Sequence, residues 1–145
     1  MSDLSVHEAA LDDVPPRTLH DLLRLRVDVF VVEQECAYPE IDGRDGEPGA
    51  LLLWAADSRG GVAATLRLLR EPEGRRIGRV ATAAEFRGAG LAAQLVRRAL
   101  ELAGDVPVVL DAQAHLASWY ARFGFEATGE PFTEDGIPHV PMRRG

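Results

Sequence analysis

The sequence lacks several features that would place it in other classes of protein. A single cysteine, Cys36, allows no disulfide within the chain, and no apolar run approaches the length of a membrane span. The first residues carry no basic and apolar secretion signal. Acidic residues outnumber basic ones by 23 to 16, and the net charge of −7 argues against nucleic acid or an anionic membrane as the main partner. These absences predict a cytoplasmic protein, and they leave monomer and homodimer both open.

The length of the chain predicts one domain, 1–145, because 145 residues can bury one core but are too few for two ordinary domains. The predicted order of elements is β-α-β-β-β-α-β-α-β-β, which gives an α/β fold of the mixed α+β kind: one mixed, mostly antiparallel sheet flanked by helices. The predicted strands cover 4–10, 50–56, 62–68, 76–82 and 107–110, with short ones near 126–127 and 140–142. Three local predictions accompany this order: Asp13 caps the first helix, 36–48 is a surface loop, and Pro141 places the last strand at an edge or at its end.

The segment Arg87 to Ala92 reads Arg-Gly-Ala-Gly-Leu-Ala and lies between a predicted strand and a predicted helix. Small residues at Gly88, Ala89 and Gly90 let backbone N–H groups approach a ligand. The start of the helix adds unpaired N–H groups and a partial positive charge, which suit phosphate or pyrophosphate. Arg87 can add a charge-assisted contact. The segment therefore predicts an anion site, although a simple tight turn is an equal alternative from these residues alone.

The spacing of the glycines indicates which kind of phosphate-binding motif the segment resembles. It differs from the dinucleotide fingerprint, and the Gly-Lys-Ser/Thr ending of a P-loop is missing. It matches Gln/Arg-x-x-Gly-x-Gly/Ala, the pyrophosphate signature of the GNAT superfamily of N-acetyltransferases, with Arg87, Gly90 and Ala92 at the fixed positions. On this motif the chain resembles that superfamily.

Further motifs extend the resemblance over nearly the whole chain. Segment 119–125, Trp-Tyr-Ala-Arg-Phe-Gly-Phe, is similar to the superfamily signature Tyr-x-x-x-Gly-Phe, and segment 25–34 resembles its first-helix pattern Arg-x-x-Val-Phe-x-x-Glu-Gln. Segments 38–43, 112–116 and 134–139 resemble the ElaA-like branch. With its motifs in the expected order, the chain is identified as a member of this branch.

The resemblance implies an enzyme that transfers an acetyl group from acetyl-CoA to a primary amine by direct attack in a ternary complex. The pyrophosphate would bind the 87–92 segment, and the preceding strand end would hold the pantetheine arm and offer a backbone N–H to the thioester carbonyl. Gln113 stands seven residues before Tyr120, where relatives commonly carry Asn. The implied cofactor-binding residues are Val80, Ala81, Thr82, Arg87, Gly88, Ala89, Gly90, Leu91, Ala92, Gln113 and Tyr120. No residues have metal-ligand spacing, so acetyl-CoA is predicted as the co-substrate and no metal is expected.

Tyr120 is the implied general acid, because relatives place the catalytic tyrosine four residues before the Gly-Phe pair. A phenol with a pKa of about 10 is protonated at neutral pH and can donate a proton to a departing thiolate. From the residue alone, packing with Trp119 and Phe123 in the core is the alternative.

The general base is less clearly defined. Glu33, Glu40 and Asp42 can accept a proton or be solvated surface charges. His115 and His139 can act as a base or a substrate ligand, or instead form a hydrogen bond at a helix start and at a turn. A water chain or an acceptor that arrives as the free amine remains open. We predict Tyr120, Glu33 and His139 as catalytic residues.

Arginines that interrupt apolar stretches are costly unless they face a cleft or a carboxylate. Arg26, Arg67 and Arg79 stand in such places, and either a substrate acid group or an internal salt bridge would explain them, the latter favoured for Arg67. The predicted substrate-binding residues are Arg26, Glu33, Arg79, His115 and His139.

The acceptor itself is not encoded in a pattern, and a small-molecule amine or a peptide amine both remain open. The acidic net charge is compatible with a cationic amine. An acyl-CoA-binding sensor or interaction module without turnover is the alternative function, and a nucleotide-binding protein is a weaker one.

Overall fold

A computed structural model describes residues 4–145 of the chain. Eight strands form one sheet in the order β1-β2-β3-β4-β5-β8-β6, with β7 also paired to β8. The strands are β1 (Ser5–Ala9), β2 (Leu51–Ala56), β3 (Val62–Glu71), β4 (Gly74–Thr82), β5 (Val108–Gln113), β6 (Glu126–Ala127), β7 (Phe132–Glu134) and β8 (Ile137–Arg144). The helices are α1 (Pro16–Val27), α2 (Leu91–Ala103) and α3 (Ala117–Ala121). A π-helical segment, Asp28–Glu33, continues α1.

The predicted mixed α/β class is confirmed. Within residues 4–145 every pair of neighbouring strands is antiparallel except β4 and β5. No helix in this part of the chain is both long and apolar enough to cross a membrane.

Both long helices follow from local sequence. α1 begins at Pro16, where the missing N–H of proline costs no helical hydrogen bond. The predicted cap at Asp13 is wrong, because Pro15 is the N-cap residue and no side chain caps this helix. α2 begins directly after Gly90, and its buried residues Leu91, Leu95 and Ala99 recur at helical spacing along one face.

The two faces of the sheet are covered by different helices. Successive residues of a strand point to opposite faces, so Leu53 belongs to the core with α2 residues Leu91 and Leu95, whereas Leu52 packs with Leu22 of α1. The face covered by α1 is filled around β2 and β3. On the same face Ala81, near the end of β4, packs with Leu25 of α1 and with Val29.

The sheet splits between β4 and β5. These strands pair only at Arg75 with Val108 and at Arg76 with Val109, and then they diverge. β4 also carries a β-bulge, because Arg79 and Val80 stand opposite the single β3 residue between Thr65 and Arg67. The split and the bulge together create an opening in the middle of the sheet.

Two features of the last strands differ from the sequence prediction. β7 was not predicted, since its three exposed residues carry no alternating apolar pattern. Both alternatives predicted for Pro141 are wrong, because Pro141 lies inside β8 and β8 lies between β5 and the short strands β6 and β7. The carbonyl of Pro141 accepts from the Thr128 N–H at 2.9 Å, so the side of proline that lacks a donor faces the gap between β6 and β7.

The predicted surface loop 36–48 is only partly at the surface. Glu40 is 3% exposed and Asp45 is 6% exposed. Carboxylates are buried to this extent only when they are paired, and both face arginines that the sheet and α1 provide.

Candidate active site

A cleft of about 700 Å³ opens where β4 and β5 separate. Arg67 and Leu69 of β3 lie in its walls, while the alternate residues Leu66 and Leu68 belong to the core beneath α2. Ile77 and Leu110 of that core also reach the cleft, from the side of α2. The main body of the cleft therefore lies on the sheet face away from α2. Its rim comes from the segment after α1 and from the turn between β7 and β8, through Gln34, Cys36, Tyr38, Glu134 and Asp135.

A second cleft, of about 710 Å³, lies beside α1 and the turn Ala84–Phe86. None of the residues predicted for the site lines it. The cleft between β4 and β5 is lined by Val80, Gln113, Tyr120 and His139, and it is therefore the candidate active site.

The 87–92 segment forms an open turn into α2. Gly88 and Gly90 adopt left-handed backbone angles, with φ of 86° and 77°, and no atom lies within 4 Å of a Cβ built on either residue. The first N–H groups of α2 have no carbonyl partner within the helix. The turn thus combines exposed backbone donors with the positive end of a helix dipole, which suits an anion.

Arg87 is held beside this turn by Glu33. The Nη1 and Nη2 atoms of Arg87 lie 2.9 and 2.6 Å from the Glu33 carboxylate, and Nε lies 3.1 Å from the Thr82 carbonyl. The hydrogen bonds from Arg87 lower the pKa of Glu33, and the same contacts raise the pKa of Arg87. Glu33 does not line the cleft, so the structure brings it to the anion turn rather than to the cleft.

Tyr120 reaches the cleft from the core side of the sheet. It lies on α3, is 6% exposed, and contacts Trp119 edge to face with ring centroids 4.9 Å apart. Its hydroxyl forms no hydrogen bond with any residue in the described part of the chain. Burial raises the pKa of Tyr120 to about 12, so the phenol keeps its proton at neutral pH.

The predicted pantetheine strand end lies at the same opening. Val80 is the second residue of the bulge and lines the cleft, whereas Ala81 is buried and pairs with Thr65. Gln113 stands across the opening at the end of β5, with its Nε2 3.5 Å from Oε1 of Gln34.

Of the two candidate histidines, the structure brings only His139 to the cleft. Its Nδ1 lies 2.8 Å from the Ile137 carbonyl, and because a carbonyl can only accept, Nδ1 carries the proton. In the neutral ring the Nε2 atom then has a free lone pair. The ring stacks on Phe132 with centroids 5.7 Å apart. His115 is exposed in the turn Ala114–Leu116 and does not line the cleft.

A buried network of charges borders the cleft. It contains equal numbers of arginines and carboxylates, namely Arg26, Arg67, Arg79, Glu40, Asp42 and Asp45. Arg26 is 1% exposed, and its Nε lies 2.7 Å from Glu40 while its Nη1 lies 2.6 Å from Asp45. Its donors are thus directed into the protein rather than into the cleft.

The two strand arginines complete the network. Arg67 holds Asp42 through two hydrogen bonds of 2.8 Å, and these keep the pKa of Asp42 well below its usual range. The Nε of Arg79 lies 2.8 Å from Oε2 of Glu40, and its guanidinium lies over the ring of Tyr38. Burial, together with the hydrogen bond to Glu40, raises the pKa of Tyr38.

A family model described as an acetyltransferase (GNAT) domain matches residues 20–144. The chain belongs to the GNAT family, in its ElaA-like branch. It is 42% identical to protein ElaA of Escherichia coli over 132 residues, which cover 87% of this chain and 86% of that protein. It is 48% identical to a UPF0039 protein of Mycobacterium tuberculosis over 136 residues, 91% and 87% of the two chains. An acyl-CoA N-acyltransferase structure from Pseudomonas aeruginosa superposes with a TM-score of 0.92 at 43% identity, covering 98% of this chain and 99% of that one.

GNAT proteins bind acyl-CoA and act on amines, and this chain is an enzyme of the acyltransferase class. Within residues 4–145 no group of three or more His, Cys, Asp or Glu side chains is arranged to hold a metal ion. The absence of a metal nevertheless stays a prediction.

Not all residues predicted for the GNAT site come together in space. Val80, Gln113, Tyr120, Arg79 and His139 line one cleft. The anion turn 87–92, Glu33, Arg26 and His115 lie outside it. The sequence prediction missed Tyr38 as a cleft residue and Asp45 as a buried partner of Arg26, and neither residue stands in a pattern of apolar spacing that would have indicated this.

Proposed function

We propose that this chain transfers an acetyl group from acetyl-CoA to a primary amine by direct attack in a ternary complex. The observation that carries the proposal is the split between β4 and β5. It connects the α2 side of the sheet, where the anion turn and Tyr120 lie, with the open cleft on the opposite face. Two substrates could therefore meet in the split, each from its own side.

A group of the protein near the opening serves each step of the transfer, from binding of the cofactor to the two proton transfers. The turn 87–92 binds the pyrophosphate, with the remaining N–H groups of Arg87 at its edge. A backbone N–H at Val80 or Ala81 donates to the thioester carbonyl as negative charge develops there. Tyr120 donates its proton to the departing thiolate, and Nε2 of His139 accepts the proton that leaves the amine.

The charges of the cleft support a cationic acceptor without a carboxylate. All four cleft arginines already face carboxylates of the protein: Arg44, Arg67, Arg76 and Arg79. Glu134 and Asp135, at the rim, have no ion-pair partner within residues 4–145. An acidic acceptor would find no unpaired cation, whereas a second ammonium group would meet these carboxylates.

The proposal is tested by measuring the release of CoA from acetyl-CoA with diamines, polyamines, amino acids and short peptides as acceptors. We expect release with diamines or polyamines and much less with free amino acids. Acetyl-pantetheine, which lacks the pyrophosphate, is the matched control and should react poorly at equal concentration. Binding of acetyl-CoA without release for any amine would instead support a sensor module without turnover.

The proposed base gives a separate prediction. Replacing His139 by Gln should lower kcat at pH 7 by about tenfold, since a positioned base is lost while the fraction of acceptor already present as free amine still reacts. The loss should shrink as the pH rises, because that fraction grows. A rate profile from pH 6 to pH 10 measures this (roughly the range over which amines lose their protons). A loss that is the same at every pH would exclude a role for His139 in proton removal.

A further inference from the structure

The geometry points to Glu40, with Asp42 and Tyr38, as a clamp that holds Arg79 in a left-handed backbone conformation and so fixes the β4 bulge for catalysis. On this view the side chain of Arg79 is a positioning group and does not bind substrate. The inference rests on the proposed function only in the step that links the bulge to the thioester carbonyl.

The first observation is the backbone of Arg79. Its φ is +52°, which residues with a Cβ rarely adopt, and it lies inside a strand rather than in a turn. One common type of β-bulge has a left-handed residue at its first position, and that residue is normally glycine. Here arginine occupies the position, so the surrounding structure must hold the backbone in place.

The second observation is how completely the side chain of Arg79 is held. Its Nε lies 2.8 Å from Oε2 of Glu40, its Nη2 lies 3.2 Å from Oδ2 of Asp42, and its guanidinium carbon lies 5.4 Å from the centre of the Tyr38 ring. The hydroxyl of Tyr38 donates to the other carboxylate oxygen of Glu40. Glu40, Asp42 and Tyr38 all lie in the segment between α1 and β2, and this segment therefore ties the bulge to α1.

Glu40 is itself anchored from the opposite side. The same oxygen that accepts from Arg79 accepts from Nε of Arg26 at 2.7 Å, and the Glu40 backbone carbonyl accepts from Nη2 of Arg26 at 3.2 Å. Because Arg26 belongs to α1 and is fully buried, Glu40 cannot shift to follow a relaxing Arg79. The clamp is therefore rigid enough to impose a strained conformation.

The strained backbone of Arg79 affects the cleft because the bulge lies at its wall. Val80 follows Arg79 directly and lines the cleft, so the backbone angles of Arg79 set the direction in which the next N–H groups point. An oxyanion donor must be aimed before the reaction, and a small rotation of the peptide weakens it.

Two substitutions at one position test the clamp. Arg79→Ala and Arg79→Gly lose the same ion pairs, but only glycine adopts a positive φ without strain. We expect kcat of Arg79→Ala to fall about tenfold further than kcat of Arg79→Gly, in line with the cost of a left-handed residue. Affinity for CoA, which has no acetyl group, should be similar in the two variants.

A third substitution, Glu40→Gln, is made both in the parent and in Arg79→Gly. It should lower kcat in the parent and have little further effect in Arg79→Gly, because glycine no longer needs the clamp. Equal losses in Arg79→Ala and Arg79→Gly would show that the side chain itself is required, and no loss in either would show that no clamp is needed; both results overturn the inference. Urea unfolding of each variant separates a loss of fold from a loss of backbone shape.

A readout without turnover keeps the two proposals distinguishable. The amide NMR shift of Ala81, which does not directly follow the substituted residue, should stay close to that of the parent in Arg79→Gly and change in Arg79→Ala. If the parent enzyme releases no CoA with any amine but the shifts behave this way, the proposed function fails and the clamp stands. If the parent is active and the shifts of both variants equal that of the parent, the clamp fails alone.

Discussion

Replacement of Tyr120 by Phe should lower kcat for acetyl transfer at pH 7 by about 100-fold or more, the usual contribution of a positioned general acid. The substitution removes one oxygen and leaves the edge-to-face contacts with Trp119 and Phe125 in place. Binding of CoA should therefore stay close to that of the parent. Assays of CoA release measure kcat, and calorimetric titration with CoA measures the affinity for CoA.

The pH dependence of the parent enzyme sharpens this expectation. Because burial raises the pKa of Tyr120 to about 12, the protonated form persists through the whole alkaline range in which an amine acceptor becomes more reactive. The parent should thus show no loss of kcat from this group below about pH 11. The chain's other tyrosine gives a comparison: Tyr38→Phe removes a hydroxyl that faces Glu40, but it keeps the ring beneath Arg79 and both ion pairs of Arg79. It should therefore cost less than about tenfold. A Tyr120→Phe enzyme within about threefold of the parent would exclude Tyr120 as the acid.

The parts of the site that the sequence predicts are those built from neighbouring residues. Gly88, Gly90 and the start of α2 follow one another in the chain, so turn chemistry and helical spacing are enough to predict an open turn at the start of a helix. That the turn binds an anion is favoured over a simple tight turn only by the resemblance to the GNAT motif. Tyr120 is likewise placed by a short motif that ends at a glycine. Such local signals do not depend on how distant strands meet.

The parts that the sequence does not predict depend on distant contacts. Glu40 stands in a polar segment with glycine and proline nearby, where surface exposure is the ordinary expectation. Its burial arises because Arg26, 14 residues away, and Arg79, 39 residues away, converge on it. The left-handed backbone of Arg79 is equally invisible, since arginine normally indicates an ordinary strand conformation there.

The burial of Arg26 leads to the largest stability effect that we expect. Arg26→Met should lower the free energy of unfolding by about 3 kcal/mol, because it leaves Glu40 and Asp45 buried with one cation fewer. The effect should lie at the lower end of the usual range for broken buried pairs, since Glu40 keeps Arg79 and Asp45 keeps Arg67 at 3.4 Å.

Arg24 lies two residues earlier on the same helix and provides the matched control. Its side chain is 71% exposed and forms one contact of 3.8 Å with Asp28, so Arg24→Met should cost less than about 0.5 kcal/mol. Both substitutions remove one positive charge from α1, and their difference therefore reports the buried network rather than net charge. Urea unfolding followed by circular dichroism gives both free energies. Similar values for the two variants would mean that the network does not hold α1 to the segment after it, and the rigidity that the Arg79 clamp requires would then have no source.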